Sequence, residues 1–459
     1  MSVPIYVYLA PRANVFVDGH FYWYLYRVIS HFKRNANRAI VIVPESSKID
    51  SLYELVRGSN IRIVTVGDSA KWGNDIGAIR PFRLSKLLSQ ALSESGYDTK
   101  NNYTLLFCNE SSLASVLSML ILVLLNPNYA TSINIIDVGL WKKLINDNYV
   151  LQLLWRLVIK RIFRNERILL TTNSPLLLKI MHRQGLSTAI LWKYYQLMDA
   201  SSNLQSAKLG SQIPESHLRA DKILVLPWPD DSDSVTSAMK ILLNNKDFKG
   251  SVQIHLKKND VIDPYQKMIT ELGLDEECLY VTQGVLDEQA YISLLKSASL
   301  IWLPYSSQYH AESGSGRAID ALANGTPILI DRNSNLLSVL DSAVINFVFP
   351  VDCTNAILVA EICLKALNEL RMKFINPQIE FNIKSQISNK IRTQFAAEAM
   401  INEITANLRP NVSNRRSNLK LFFQIPIIEI YFGIVFLLDI TNKRVRKQTT
   451  YFRKRKVQI

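Results

Sequence analysis

Two acids, Glu312 and Asp320, stand eight residues apart in HAESGSGRAIDALANGTPILID (310–331), with Gly314, Gly316 and Arg317 between them. Glycines here let a ligand approach the backbone, and the first-turn amides of a helix face an anion such as a diphosphate. Glu312, still in the loop, can accept hydrogen bonds from hydroxyls. Asp320, one turn into the helix, reaches a second hydroxyl further along the same ligand. Acids bracketing an anion cradle, with Ser313 and Ser315 inside it, suit hydroxyls at both ends and phosphates between. A nucleotide sugar has that form.

Such a loop must be held at the end of a strand. LIWLPY (300–305) precedes it and TPILID (326–331) follows. Upstream, KILVLPWP (222–229), SVQIHL (251–256) and CLYVTQ (278–283) have the apolar, β-branched content and polar boundaries of strands, with helical periodicity between them. INFVFP (345–350) reads as another. The first half alternates in the same way, with strands expected at 5–10, 38–44, 61–66, 103–109, 133–139, 167–173 and 189–195. Alternation of this kind implies right-handed crossovers and mostly parallel sheets. In open parallel sheets ligands bind outside the carboxyl ends of the strands, where the 306–316 loop falls. The run SLASVLSMLILVLLNP (112–127) lies inside the alternation and reads as a buried crossover helix.

These spacings predict two Rossmann-like α/β domains facing across a cleft. The N-terminal domain spans 1–197 and a Ser/Asn/Gln-rich linker 198–219. The nucleotide-sugar domain covers 220–375, a helical region 376–410, and an apolar and basic tail 411–459.

The segment 310–331 resembles the E-x7-E region of retaining GT-B glycosyltransferases, in particular glycosyltransferase family 4, with Asp320 in place of the second Glu. The lead-in VTQGVLDEQAYISLLKSASLIWLPYSS is similar to the same family's strand, glycine turn, helix and strand, so the likeness covers about 278–331. The resemblance implies that Glu312 contacts the transferred sugar, Asp320 the ribose, and the loop at Gly284 and Val285 the base. It implies sugar transfer without a metal or other cofactor. Gly19 and His20 open the first helix of the N-terminal domain, where the family brings a glycine-containing loop near donor phosphates and acceptor. His20 then binds acceptor or phosphate, or simply packs at a helix start.

The chain departs from the family at LPWPDDSDSVTS (226–237), where a Gly-Arg and a Lys would hold the diphosphate. Arg317, or Lys257 and Lys258 at the end of strand 251–256, are the cations available to compensate; a solvated strand end is the other reading of the lysines. The DSD at 231–233 resembles a metal-binding DxD, but its place between strand and helix suits N-capping.

Charge separates the tail from the rest. The formal net charge is +14, and Arg409–Ile459 holds twelve Lys and Arg against Glu429 and Asp439, a local +10 that leaves +4 elsewhere. A nucleic-acid binder would carry that charge on its folded body. Residues 421–438 are apolar apart from Gln424, Glu429 and Tyr431, and a basic flank follows. Glu429 near the centre, with Pro426 and Gly433, argues against a spanning helix. A segment lying in a membrane interface, with cations on anionic headgroups, is expected instead. Packing against the N-terminal domain is the alternative.

Four scattered cysteines with no CxxC exclude a disulfide framework and fit a reducing compartment. No signal peptide is read at the N-terminus. The expected protein is cytoplasmic, peripheral to the inner face of a membrane, and transfers sugar from a nucleotide sugar to a glycan or lipid-linked acceptor. The rivals are a non-catalytic scaffold of the same architecture, a nucleotide-sugar epimerase, and a nucleic-acid binder.

Overall fold

A computed structural model describes residues 4–10, 20–45, 50–67, 79–108, 112–135, 149–172, 174–191, 221–227, 231–256, 260–273, 277–284, 286, 288–304, 316–395, 397–408 and 425–435. The chain divides into two compact units. The first joins Met1–Asn173, Leu177–Trp192 and Met400–Ile459; the second joins Lys193–Ala399 and Ser174–Leu176.

The first unit is built on seven strands: β1 (Ile5–Leu9), β2 (Ala39–Val43), β3 (Ile61–Thr65), β4 (Thr104–Cys108), β5 (Tyr129–Asn134), β6 (Ile168–Thr172) and β7 (Ile190–Leu191). They pair in parallel in the order β3-β2-β1-β4-β5-β6-β7. The central strands IYVYL, AIVIV and TLLFC are buried at every position because both sheet faces are covered, which is why they read as continuous apolar runs. Of the strand expected at 189–195, Ile190–Leu191 pair with β6, and residues 192–195 lie outside the described residues.

The helix Leu113–Leu125 is apolar all round and buried from Leu113 to Leu124, as expected of the 112–127 run. Such a helix belongs inside a core, and its side chains join the hydrophobic cluster of the first unit. The described element that joins the same hydrophobic cluster from far along the chain is the helix at 425–435. Its Ile425, Ile428, Tyr431, Phe432 and Val435 form one stripe, none more than 7% exposed. Over 425–435 the expected interfacial placement is therefore corrected: the apolar face meets protein core. Among the described residues no helix is long and apolar enough to cross a membrane.

Glu429, costly in a lipid setting, has a use here. The helix Pro81–Glu94 begins at Arg80, which makes no side-chain cap, and Pro81 has no N–H. The Phe82 N–H is the first orphan donor, and it donates to Glu429 Oε1 at 2.5 Å. A carboxylate there also meets the positive end of the helix dipole. Pro426 and Gly433 both lie within the helical stretch described at 425–435, so neither breaks it there.

The second unit holds β8 (Lys222–Val225), β9 (Ser251–Leu256), β10 (Leu279–Gln283), β11 (Leu300–Leu303), β12 (Ile328–Asp331) and β13 (Val348–Val351). All are parallel, in the order β10-β9-β8-β11-β12-β13. One core packs the helices Ser232–Leu243, Asp263–Leu272 and Ala356–Lys373; the other packs Glu288–Ser297, Gly316–Ala323 and Pro377–Gln394. In both units the strand order reverses beside the first strand. Those reversals, β1/β4 and β8/β11, mark the crevices where parallel sheets bind ligands.

Candidate functional site

The helix Gly316–Ala323 starts just past the carboxyl end of β11, at the β8/β11 reversal. Its buried face is Ala318–Ala323, and Asp320 is 1% exposed. Asp320 is therefore not a solvated helix acid. A carboxyl group so buried requires polar partners, and Asp320 has at least one such interaction within the protein.

Arg317 follows the first residue of the helix. Its Nη1 donates to the carbonyls of Leu226 at 3.1 Å and Pro227 at 3.4 Å, the residues that leave β8. One side chain thus ties the helix start to the neighbouring strand across the reversal. Among the described residues, Arg317 is a cation held at the point where the chain leaves β8; Lys257 and Lys258 lie outside them. In the acidic turn after β8, Asp231 holds the N-cap position of Ser232–Leu243, and Asp233 lies in its first turn.

The other end of the helix is fixed by the NGTP sequence. Asn324 Nδ2 donates back to the Asp320 carbonyl at 2.8 Å, and Thr326 Oγ1 donates to Leu295 O at 2.9 Å. Gly325 takes φ +75°, and a Cβ there would lie 2.9 Å from the Lys384 carbonyl oxygen and 3.1 Å from Lys384 Cα. Only glycine permits both the left-handed turn and the approach of Pro377–Gln394. Gly325→Ala is expected to cost about 2–4 kcal/mol, from the left-handed penalty plus overpacking. Thermal unfolding checks this; an unchanged Tm would remove the packing argument.

A residue not anticipated from the sequence lies at the same edge. His255, the penultimate residue of β9, shares a hydrogen bond of 2.9 Å between Nδ1 and Thr282 Oγ1 on β10. Burial, then the nearby positive charge of Arg317, hold its pKa below the usual histidine value, with Asp260 opposing. Its sequence signal was slight: one polar residue near the end of an apolar strand. One strand over, Gly284 leaves β10 with φ +146°, a region that favours glycine, and its N–H donates to Leu256 O at 3.0 Å.

The sequence-predicted residues thus fall into three groups. Gly316, Arg317, Asp320 and Gly284 lie at the carboxyl edge of the second sheet. His20 is the first residue of the helix His20–Arg34, which follows β1 at the reversal of the first sheet. Glu312, Ser313, Gly314, Ser315, Val285, Lys257 and Gly19 lie outside the described residues. Cysteine chemistry is not supported: burial pushes the Cys353 and Cys363 thiols up to about 12, so neither is a ready thiolate. Among the described residues no group of three His, Cys, Asp or Glu is set to hold a metal.

No protein-family model and no curated protein matches the chain. Solved structures do. A glycosyltransferase from Rickettsia africae superposes with a TM-score of 0.62 over 90% of this chain and 100% of that one, at 10% identity. Sucrose-phosphate synthase from Thermosynechococcus elongatus gives 0.52 over 88% and 98%, at 14% identity. HepE of Anabaena, solved in complex with UDP, gives 0.53 over 88% and 99%, at 13% identity. At such identities the likeness is one of fold. With two parallel α/β sheets of seven and six strands, the chain has the GT-B glycosyltransferase fold.

Proposed function

We propose that the protein is a glycosyltransferase that takes a sugar from a nucleotide donor bound at the β8/β11 reversal of its second unit. The observation that carries this reading is Asp320, a buried acid one turn into the helix that opens at the reversal. A purely structural helix would more cheaply place an apolar residue there. In this reading Asp320 accepts hydrogen bonds from the donor ribose, and the first-turn amides of Gly316–Ala323 face the diphosphate. Arg317, anchored on the Leu226 and Pro227 carbonyls, adds the positive charge that the acidic turn after β8 lacks. Glu312 contacts the transferred sugar, and the loop at Gly284 and Val285 borders the base. Fixed amides and a cation stabilise the departing diphosphate, so transfer proceeds without a metal, with retention at the anomeric carbon. His20 serves the acceptor side. The basic run at 443–456 favours an acceptor held at an anionic membrane surface facing the cytoplasm, whether glycan or lipid-linked.

HepE, bound to UDP and in another structure to UDP-glucose, supports a nucleotide-sugar ligand. The acidic turn favours a second reading, a GT-B chain that binds nucleotide without turning it over. Asp320→Ala is expected to weaken donor binding by about 1–3 kcal/mol, the value of a hydrogen bond to a charged group. Calorimetric titration of the variant with the wild type's best donor measures this. Unchanged affinity in a folded variant would remove the ribose role.

A further inference from the structure

The residues 149–163 and the helix Pro175–Arg183 follow β5 and β6, and their buried faces join one core cluster on the first unit's sheet. From Tyr149 to Leu191 the sequence holds seven Lys and Arg against one acid, Glu166. Arg167 alone turns inward, its Nη1 donating to the carbonyls of Val123, Asn126 and Tyr129. The remaining six are Arg156, Lys160, Arg161, Arg164, Lys179 and Arg183. All are exposed except Lys160, which is half-buried. None has an ion pair among the described residues.

The dipoles of the two helices account for part of this. Lys160, Arg161 and Arg183 lie in last turns, where cations are favoured. Arg156 and Lys179 lie further inside and gain little from them. Nor does a dipole explain the meeting at Gly185. A Cβ there would stand 2.5 Å from Arg164 Nη2 and 3.1 Å from Lys160 Nζ, while Arg164 Nε donates to Gly185 O at 2.9 Å. Two cations are thus held around one point with no acid between them. One turn before Arg156, Leu153 is 45% exposed, an apolar side chain among the charges.

We propose that this face docks the first unit on an anionic lipid surface. The charges spread over two helix surfaces rather than lining a pocket, which fits a plane of headgroups better than a single phosphate. Leu153 supplies an apolar contact at that plane. No exposed aromatic accompanies the cations among the described residues, so the stacking expected of a single-stranded nucleic-acid platform is lacking. The surface acts independently of the donor site and of the basic run at 443–456.

Vesicle sedimentation of the full chain tests it, using phosphatidylcholine alone and phosphatidylcholine mixed with phosphatidylglycerol. The wild type should sediment with the anionic vesicles and less so at high salt. Each close basic residue is worth roughly fivefold in affinity, so Arg156→Ser/Lys160→Ser/Arg164→Ser should lose about a hundredfold. Lys179→Ser/Arg183→Ser should lose roughly 25-fold by the same reckoning. Both losses should persist when the eight Lys and Arg of 443–456 are replaced by Ser. Circular dichroism should show the variants folded. Unchanged binding in both variants would overturn the proposal. So would binding that disappears with the 443–456 substitutions alone, or a loss confined to RNA with vesicle binding intact.

Discussion

Truncation after Arg409 is expected to leave the first unit unfolded or aggregated. The deletion removes five buried side chains: Ile425, Ile428, Tyr431, Phe432 and Val435. At about 1.5–3 kcal/mol each, they represent about 8–15 kcal/mol of burial, an upper estimate because unfolded chains are already partly compact. Even half of that rivals the whole stability of a typical domain, about 5–15 kcal/mol. The deletion would also remove the Glu429 contact with the first turn of Pro81–Glu94. Glu429→Ala, which removes only the Phe82 contact, should cost far less, about 1–2 kcal/mol. Size-exclusion chromatography and thermal unfolding of both variants give the comparison. A monodisperse truncated chain with an unchanged Tm would show that the helix at 425–435 is not part of the core.

Replacing Glu312 should have the largest effect on chemistry. Glu312→Ala is expected to reduce transfer at least about a hundredfold, as when a fixed polar group facing the reacting sugar is lost. If Glu312 serves the ligand rather than the fold, stability should change by no more than about 1 kcal/mol, read as a nearly unchanged Tm. The contrast with Asp320→Ala is diagnostic. One variant should lose turnover while still binding donor; the other should lose donor affinity first. Product formation at saturating donor separates the two. Full activity in folded Glu312→Ala would remove the assignment of Glu312 to the sugar.

The sheets were legible because parallel strands buried on both faces carry an apolar signature that no surface element shares. Strand ends were less so: KILVLPWP suggests a strand to Pro229, yet β8 ends at Val225, where Leu226 and Pro227 turn their carbonyls to Arg317. The helix at 425–435 shows the limit more sharply. An apolar stripe reads the same whether lipid or protein covers it. What decides is Glu429 meeting Phe82, 347 residues away, a contact that no local pattern encodes. Asp320 was proposed from its spacing to Glu312, and its burial was not foreseen. His255 was missed because a single polar residue in a strand commonly means only a polar edge; its pairing with Thr282 and its nearness to Arg317 arise from the parallel register of β9 and β10.

The central claim is that the β8/β11 reversal of the second unit binds a nucleotide sugar for transfer. Calorimetric titration of the full chain with a panel of nucleotide sugars tests it most directly, followed by assay of nucleotide release with membrane extract as acceptor source. At least one donor should bind saturably, bind more weakly to Asp320→Ala, and release nucleotide faster when acceptor is present. Binding without any acceptor-dependent release would favour the non-catalytic reading. A folded protein that binds no member of the panel would contradict the account.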